Sequence, residues 1–222
     1  MSQSLVIRFI PVEIFLLSVV AGWAAVSGIP LLIQSAPASA ASAEVGAVSA
    51  LPETVASVLS PVFTPEVRRW TDEIVAWAEL HQLDPNLVAT VMQIESCGAP
   101  HVVSGSGAQG LFQVMPFHFA EGEDMQDPDT NAGKGVAYLE LGLARAGGNA
   151  GLALAGYNGG HSMIGRDGSL WPAETKRYWY WGTGIYGDAL NGLGQSSRLQ
   201  EWLEAGGASL CARAAEQLGM AP

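Results

Sequence analysis

One carboxyl group in this 222-residue sequence stands where a helix would turn it into an acid. Glu95 follows Val88, Val91 and Met92 by seven, four and three residues, so on a helix it shares their apolar face. Desolvation against those side chains favours the protonated form, and so does the negative end of the helix dipole in a last turn. That is the environment of a general acid. Downstream, Gly105, Gly107 and Gly110 let the backbone turn sharply and come close to a ligand. Gln113, just beyond them, offers an amide donor and acceptor, and Tyr157-Asn158 adds a phenol and a second amide. The four histidines are scattered and no C-x2-C pair occurs, so no metal site is expected.

The elements that must hold these groups read as helices. Thr64-Pro65 is an N-cap followed by proline in the first turn, and Val67, Trp70, Ile74 and Trp77 then recur at helical steps, which predicts a helix to about His81. Asp84-Pro85 repeats the signal and opens a helix from Asn86 to about Cys97, stopped by Gly98 and Pro100. A third helix begins at Asp127-Pro128 and runs to Gly147-Gly148, and a fourth spans about Ala150 to Asn158. Later helices are predicted near Ala173 to Trp181, Ser197 to Ala205 and Ala208 to Leu218, and only Leu111 to Met115 is ambiguous with a strand. The fold class is therefore all-α, a predominantly helical single domain over residues 64–222.

Upstream of it, Ile14 to Ile33 is a run of twenty residues without a charge, long enough for a bilayer's hydrocarbon core. Arg8 precedes it, and the small-residue triplets Ala38-Ser39-Ala40 and Ala41-Ser42-Ala43 follow. Residues 1–43 thus read as a cleaved signal peptide or an uncleaved membrane anchor, and either places the rest of the chain outside the cytoplasm. Residues 44–63, rich in Ala, Ser, Val and Pro, read as a linker. The net charge of −11 argues against nucleic acid as a partner and gives no general attraction to an anionic surface. Two cysteines in an exported chain are compatible with one disulfide, Cys97 to Cys211, and equally with two buried thiols. The acidic run Glu121, Glu123, Asp124, Asp127 and Asp129 lacks the glycine and spacing of a calcium loop and reads as solvated loop and helix caps.

Five blocks occur in order: Glu95-Ser96, the loop Ser104 to Pro116, Asp127-Pro128 with Asn131, Tyr157-Asn158-Gly159-Gly160, and Glu174-Thr175-Lys176-Arg177-Tyr178. Together they strongly resemble the lytic transglycosylase family with the soluble-transglycosylase type of lysozyme-like catalytic domain. Glu-Ser or Tyr-Asn-Gly alone would carry little weight; the ordered set is specific. Phe112 stands where that family usually has Met, and Gly156 replaces the Ala before Tyr-Asn, so both are candidates for altering the sugar subsites. The resemblance implies Glu95 as catalytic residue and Gln113 and Tyr157 at the cleaved bond, with Ser104 and Asn158 as weaker substrate-binding candidates. Glu174 reads as a structural residue in a helix first turn, and tryptophans such as Trp171, Trp179 and Trp181 can stack on sugars, although most belong to the core.

The substrate implied is the peptidoglycan glycan strand, cut between N-acetylmuramic acid and N-acetylglucosamine with closure of a 1,6-anhydro ring. No metal or organic cofactor is required. The motif blocks offer no obvious second carboxylate across the bond, which a standard glycosidase would need. A hydrolase of the same fold, lysozyme-like or chitinase-like, and a non-catalytic wall-binding subunit remain alternatives.

Overall fold

The computed structural model describes residues 59–220, and its helix boundaries follow the capping residues. Helix α1 (Pro65–Arg68) and helix α2 (Thr71–Leu80) replace the single first helix expected from the pattern. The break has a tertiary cause: Trp70 leaves the helix between them and its indole N–H donates to Gly98 O at 2.9 Å, across the chain from its own helix. Helix α3 (Pro85–Glu95) starts at Asp84, whose carboxylate accepts Asn86 N, and carries Pro85 in its first turn. It ends as Cys97 and Gly98 take positive φ values of 53° and 84°. Gly98 must be glycine, since a Cβ there would lie 2.8 Å from Glu66 O.

Helices α4 (Pro128–Arg145) and α5 (Ala150–Gly159) are capped by the side chains of Asp127 and Asn149, which accept Thr130 N and Leu152 N. Helix α6 (Ala173–Leu190) runs well past the Trp181 expected from sequence, through Gly182, Gly184 and Gly187. Glycine weakens a helix in isolation, but two of these give room to neighbours: Leu154 and Ile94 pack onto Gly182, and Arg198 lies over Gly184. Helix α7 (Ser197–Trp202) passes through a wider turn at Leu203–Gly207, where Gly206 has φ 127°, into α8 (Ala208–Gln217). Among the described residues there is no strand. The ambiguous segment instead forms isolated bridges, Val103 with Gln109 and Gln109 with Val114, that fold the glycine loop onto itself.

The architecture is the predominantly helical one expected. α5 packs between α4 and α6, while α3 lies against α2 and α6. α3 and α6 are antiparallel neighbours, because Tyr186 near the end of α6 donates to Asp84 at the start of α3. The core of Ile74, Leu87, Val88, Val91, Met92, Leu111, Phe112, Val136, Leu139, Leu154 and Ile185 fills the space between them. It also takes in Leu59, Val62 and Phe63, with Ser60 N donating to Asn86 Oδ1 at 2.8 Å, so packing begins upstream of the boundary expected at Thr64. The apolar run Ile14 to Ile33, and with it the signal or anchor reading, lies outside the described residues. Among those described, no helix is long and apolar enough to cross a membrane.

Cys97 and Cys211 form a disulfide with their Cα atoms 5.0 Å apart, joining the turn after α3 to α8. Glu66 lies close to both sulfurs, but the two sulfurs are bonded to each other and offer no thiolate to a metal.

Asn131 is the polar pin of this architecture. It is fully buried, donates to Gln109 O and Met125 O at 2.8 Å each, and accepts Phe112 N at 2.8 Å. Asn131→Ala removes three hydrogen bonds at once and leaves the buried Phe112 N without its acceptor, and we expect urea unfolding to show a loss of about 2 to 4 kcal/mol. A loss below about 0.5 kcal/mol, the range of an ordinary surface change, would contradict this role.

Candidate active site

Glu95 is the last residue of α3 and keeps partial contact with solvent, while Val88, Val91 and Met92 beside it are fully buried. Its carboxyl is pushed from the usual value of 4.5 up to about 8, first by burial, then by the repulsion of Glu174, with the Tyr178 hydroxyl acting in the opposite direction. At neutral pH the group therefore carries its proton. Glu174, read from sequence as a structural first-turn residue, is exposed at the start of α6 and close enough for its charge to act on Glu95.

Tyr178 lies beside Glu95, a placement that the sequence reasoning misses although this residue closes the last motif block. Thr175 and Tyr178 lie one turn apart on the buried face of α6, a spacing that could have pointed to a shared inward role. The buried Tyr178 hydroxyl forms no well-shaped hydrogen bond, and burial together with the charge of Glu95 pushes its pKa far up. Its ring stacks with that of Tyr157, centroids 6.5 Å apart, and Tyr138 meets Tyr157 edge-on at 5.7 Å. Tyr157 is also held neutral by burial and by Glu95. The acid thus faces phenols that stay protonated beside it.

A cleft of about 220 Å³ is lined by Gln113, Met115, Tyr138, Tyr157, Asn158 and their neighbours from the glycine loop, α4 and α5. Three of the sequence-predicted residues are brought together here, and their hydrogen bonds fix what each can offer. Gln113 has φ 47° and its amide nitrogen donates to Val102 O at 3.1 Å and Gly110 O at 2.9 Å. Both partners are carbonyls, so the nitrogen must face them, and only the amide oxygen is left for a ligand. Tyr157 Oη donates to Phe112 O at 2.7 Å, which leaves that oxygen as an acceptor. Asn158 Oδ1 accepts Thr175 Oγ1 at 2.9 Å, which leaves its NH2 group as a donor. The cleft accordingly presents two acceptors and an amide donor, a match for a group that carries both N–H and C=O.

Ser104 does not line the cleft. Its hydroxyl accepts Ala108 N at 2.9 Å and pairs with Ser106, which is the work of a loop turn. Ser96 is fully buried and donates to Leu111 O at 2.7 Å, tying the end of the acid's helix to the loop. The two departures from the family pattern also point inward. Phe112 is fully buried against Trp77, and Gly135 of α4 is flush with it: a Cβ on Gly135 would collide with Phe112 and come within 3.0 Å of Tyr157 Oη. Gly156 is buried under Ile164, 2.8 Å from where its Cβ would be. Phe112 and Gly156 thus pack behind the cleft, whereas Gly135 lines it. Four of the five acidic residues are engaged within the protein: Asp127 caps α4, Asp129 accepts the Trp77 indole, Asp124 accepts Gln126 N, and Glu123 accepts Ala120 N and pairs with Lys134.

Residues 72–179, from α2 into α6, match the family model of the transglycosylase SLT domain, and that span contains every residue of the cleft. The domain belongs to the lytic transglycosylase family. A transglycosylase of Enterobacteria phage PRD1 is 40% identical over 84 residues, covering 36% of this chain and 31% of that protein. The membrane-bound lytic murein transglycosylase E of Buchnera aphidicola is 28% identical over 88 residues, or 34% of this chain and 40% of the relative. The endo-type membrane-bound lytic murein transglycosylase A of Klebsiella pneumoniae is 36% identical over 72 residues, or 27% and 36%. The chain thus spans about a third of the length of these curated relatives. An X-ray structure of an inactive mutant of lytic transglycosylase Slt from Pseudomonas aeruginosa aligns with a TM-score of 0.47 and 26% identity, covering 58% of this chain and 25% of the other.

Within this family domain the spent donors of Gln113 make a specific expectation. Gln113→Ala removes two hydrogen bonds from the loop as well as an acceptor from the cleft. Unfolding should show a loss of about 1 to 2 kcal/mol, and fragment release from cell-wall sacculi should fall by about tenfold to a hundredfold, the effect of losing a positioning group. Unchanged stability together with unchanged release would mean that the amide holds neither the loop nor the ligand.

Proposed function

We propose that the domain is a peptidoglycan lytic transglycosylase that cuts the bond between N-acetylmuramic acid and N-acetylglucosamine and leaves 1,6-anhydromuramoyl ends. The observation that carries this reading is the Glu95 carboxyl, held protonated up to about pH 8 beside a cleft of complementary amides. Glu95 gives its proton to the glycosidic oxygen as the C1–O bond breaks. The cation that develops at C1 is shared with the acetamido carbonyl of the same sugar. Glu95, now a carboxylate, takes the proton of the muramoyl C6 hydroxyl as that oxygen attacks C1 and closes the ring. Proton and electron count balance without water, and one residue serves as acid and then base.

The cleft supports this division of labour. An acetamido N–H can donate to Gln113 Oε1 while its carbonyl accepts from Asn158, and Tyr157 Oη can accept from a sugar hydroxyl, since its own proton is committed to Phe112 O. Export fits such a substrate: the apolar segment before the domain would bring it to the outer face of the cytoplasmic membrane, cleaved or anchored, with peptidoglycan strands as the partner and nucleic acid excluded by the acidic charge.

Glu174 favours one other reading. A second carboxylate whose charge reaches Glu95 is what a hydrolase would use to activate water. Mass analysis of the fragments released from purified sacculi separates the two. We expect products one water lighter than hydrolysis gives, ending in anhydro rings. Reducing ends in their place would assign the domain to hydrolysis, and no release at all would remove the enzymatic reading.

A further inference from the structure

A second groove lies outside the cleft. It has a volume of about 780 Å³ and runs between α5, α6 and the turn before α6. Trp171, Trp179 and Tyr180 form its aromatic surface. Trp179 and Tyr180 are 40% and 42% exposed, which leaves a large apolar face unused by the fold. These rings are nonetheless fixed. Trp171 is buried and donates its indole N–H to Met163 O, Trp179 meets it edge-on at 6.1 Å, and Tyr180 lies under the Arg198 guanidinium at 3.4 Å with its hydroxyl on Glu201. Gly151 brings α5 close to the Trp179 indole, since a Cβ there would lie 3.1 Å from Nε1.

Most polar side chains around this surface offer donors, while Thr183 spends its hydroxyl proton on Trp179 O. Trp179 brings its indole N–H to the lining. Asn149 spends its oxygen on capping α5 and keeps its NH2 group, and Lys176 spends one N–H on Ser169 O. The nearby carboxylate Asp167 is turned to its own loop, accepting Ser169 N, and feels the Lys176 charge. Rigid aromatic planes with several donors and few acceptors suit a ligand that has an apolar C–H face and many acceptor oxygens. That is a pyranose ring bearing an acetamido carbonyl. The groove and the cleft are both built on α5, which supplies Gly151 and Leu152 to the groove and Tyr157 and Asn158 to the cleft.

We propose that this groove is a second glycan site, which holds N-acetylated sugars of the same strand away from the bond being cut. The inference rests on the reading of the domain as a glycan-cutting enzyme. It makes the enzyme sensitive to strand length, because short fragments fill the cleft alone and long strands fill both.

The test compares the full chain with its Trp179→Ala and Trp179→Phe variants on two substrates, long glycan strands freed of peptide and a tetrasaccharide of the same sugars. Trp179→Ala should raise KM for long strands by about tenfold, the share of an aromatic anchor, while kcat for strands, kcat/KM for the tetrasaccharide and the thermal midpoint stay unchanged. Trp179→Phe should recover most of the loss. Equal effects of Trp179→Ala on both substrates, or none on either, would overturn the second site while leaving the cleft's function intact. A wild-type protein that cuts neither substrate would overturn the enzymatic reading and the second site with it.

Discussion

Glu95→Gln should abolish fragment release from sacculi and at the same time make the protein more stable at neutral pH. The amide keeps the shape of the acid but has no proton to give, and loss of a general acid costs about 10² to 10⁴ in rate. In the proposed mechanism the same residue also serves as base, so the upper end is expected. The stability effect follows from linkage. Unfolded, the carboxyl ionises near 4.5; folded, it holds its proton to about 8. Between those values the unfolded chain has released a proton that the native state still binds, so native stability falls as pH rises through this window and levels off above it. Each unit of difference corresponds to about 1.4 kcal/mol, and glutamine removes the whole contribution. Thermal midpoints of the two proteins should therefore agree near pH 4 and separate towards pH 8, with the variant higher. A variant that is inactive but less stable at pH 8 would show that its inactivity came from damage to the fold.

Loss of the Cys97–Cys211 bridge should cost more stability than the loss of either Asn131 or Gln113. The bridge spans 114 residues of sequence, and chain-entropy arguments value a loop of that length at about 4 to 5 kcal/mol. It is also placed to matter for catalysis. Cys97 is two residues beyond Glu95, in a left-handed conformation that ends α3, and both sulfurs pack against the buried Gln93 amide. The paired replacement Cys97→Ser with Cys211→Ser should lower the urea midpoint accordingly, and reductant should do the same to the parent protein and nothing further to the variant. Activity at low temperature should survive in part, since Ser96 still ties the end of α3 to Leu111. Alkylation of both thiols in unreduced protein would contradict the bridge.

The five motif blocks are legible in the sequence as a series, and the structure gives the physical reason that they occur together. Ser96 reaches Leu111 of the loop, Asn131 holds the same loop from α4, Tyr157 bonds to Phe112 in it, Asn158 takes a hydrogen bond from Thr175, and Tyr178 acts on Glu95. Each block is one side of a contact whose other side is another block. Capping residues likewise locate the starts of α3, α4 and α5, because an Asp or Asn cap is a local interaction that a short stretch of sequence contains in full.

What escapes the sequence depends on partners far along the chain. The break at Trp70 needs Gly98, the length of α6 through its glycines needs Leu154 and Arg198, and the burial of Phe63 needs the whole core. The same holds for chemistry. Nothing local to Gln113 says that its donors are already engaged, nothing local to Phe112 says that it faces Trp77, and the charge of Glu174 matters only because α6 lies antiparallel to α3. Tyr178 sits within a motif block yet gives no local sign of its role, because a tyrosine on a helix face is most often simply part of a core.

The proposed mechanism turns on one protonated carboxyl. Its most direct test is the titration of the Glu95 side-chain carboxyl carbon by NMR in the full chain, assigned by the signal missing from the Glu95→Gln variant. A midpoint of about 8 is expected. A midpoint near the ordinary 4.5 would mean an ionised Glu95 at neutral pH, and the domain would lose its acid.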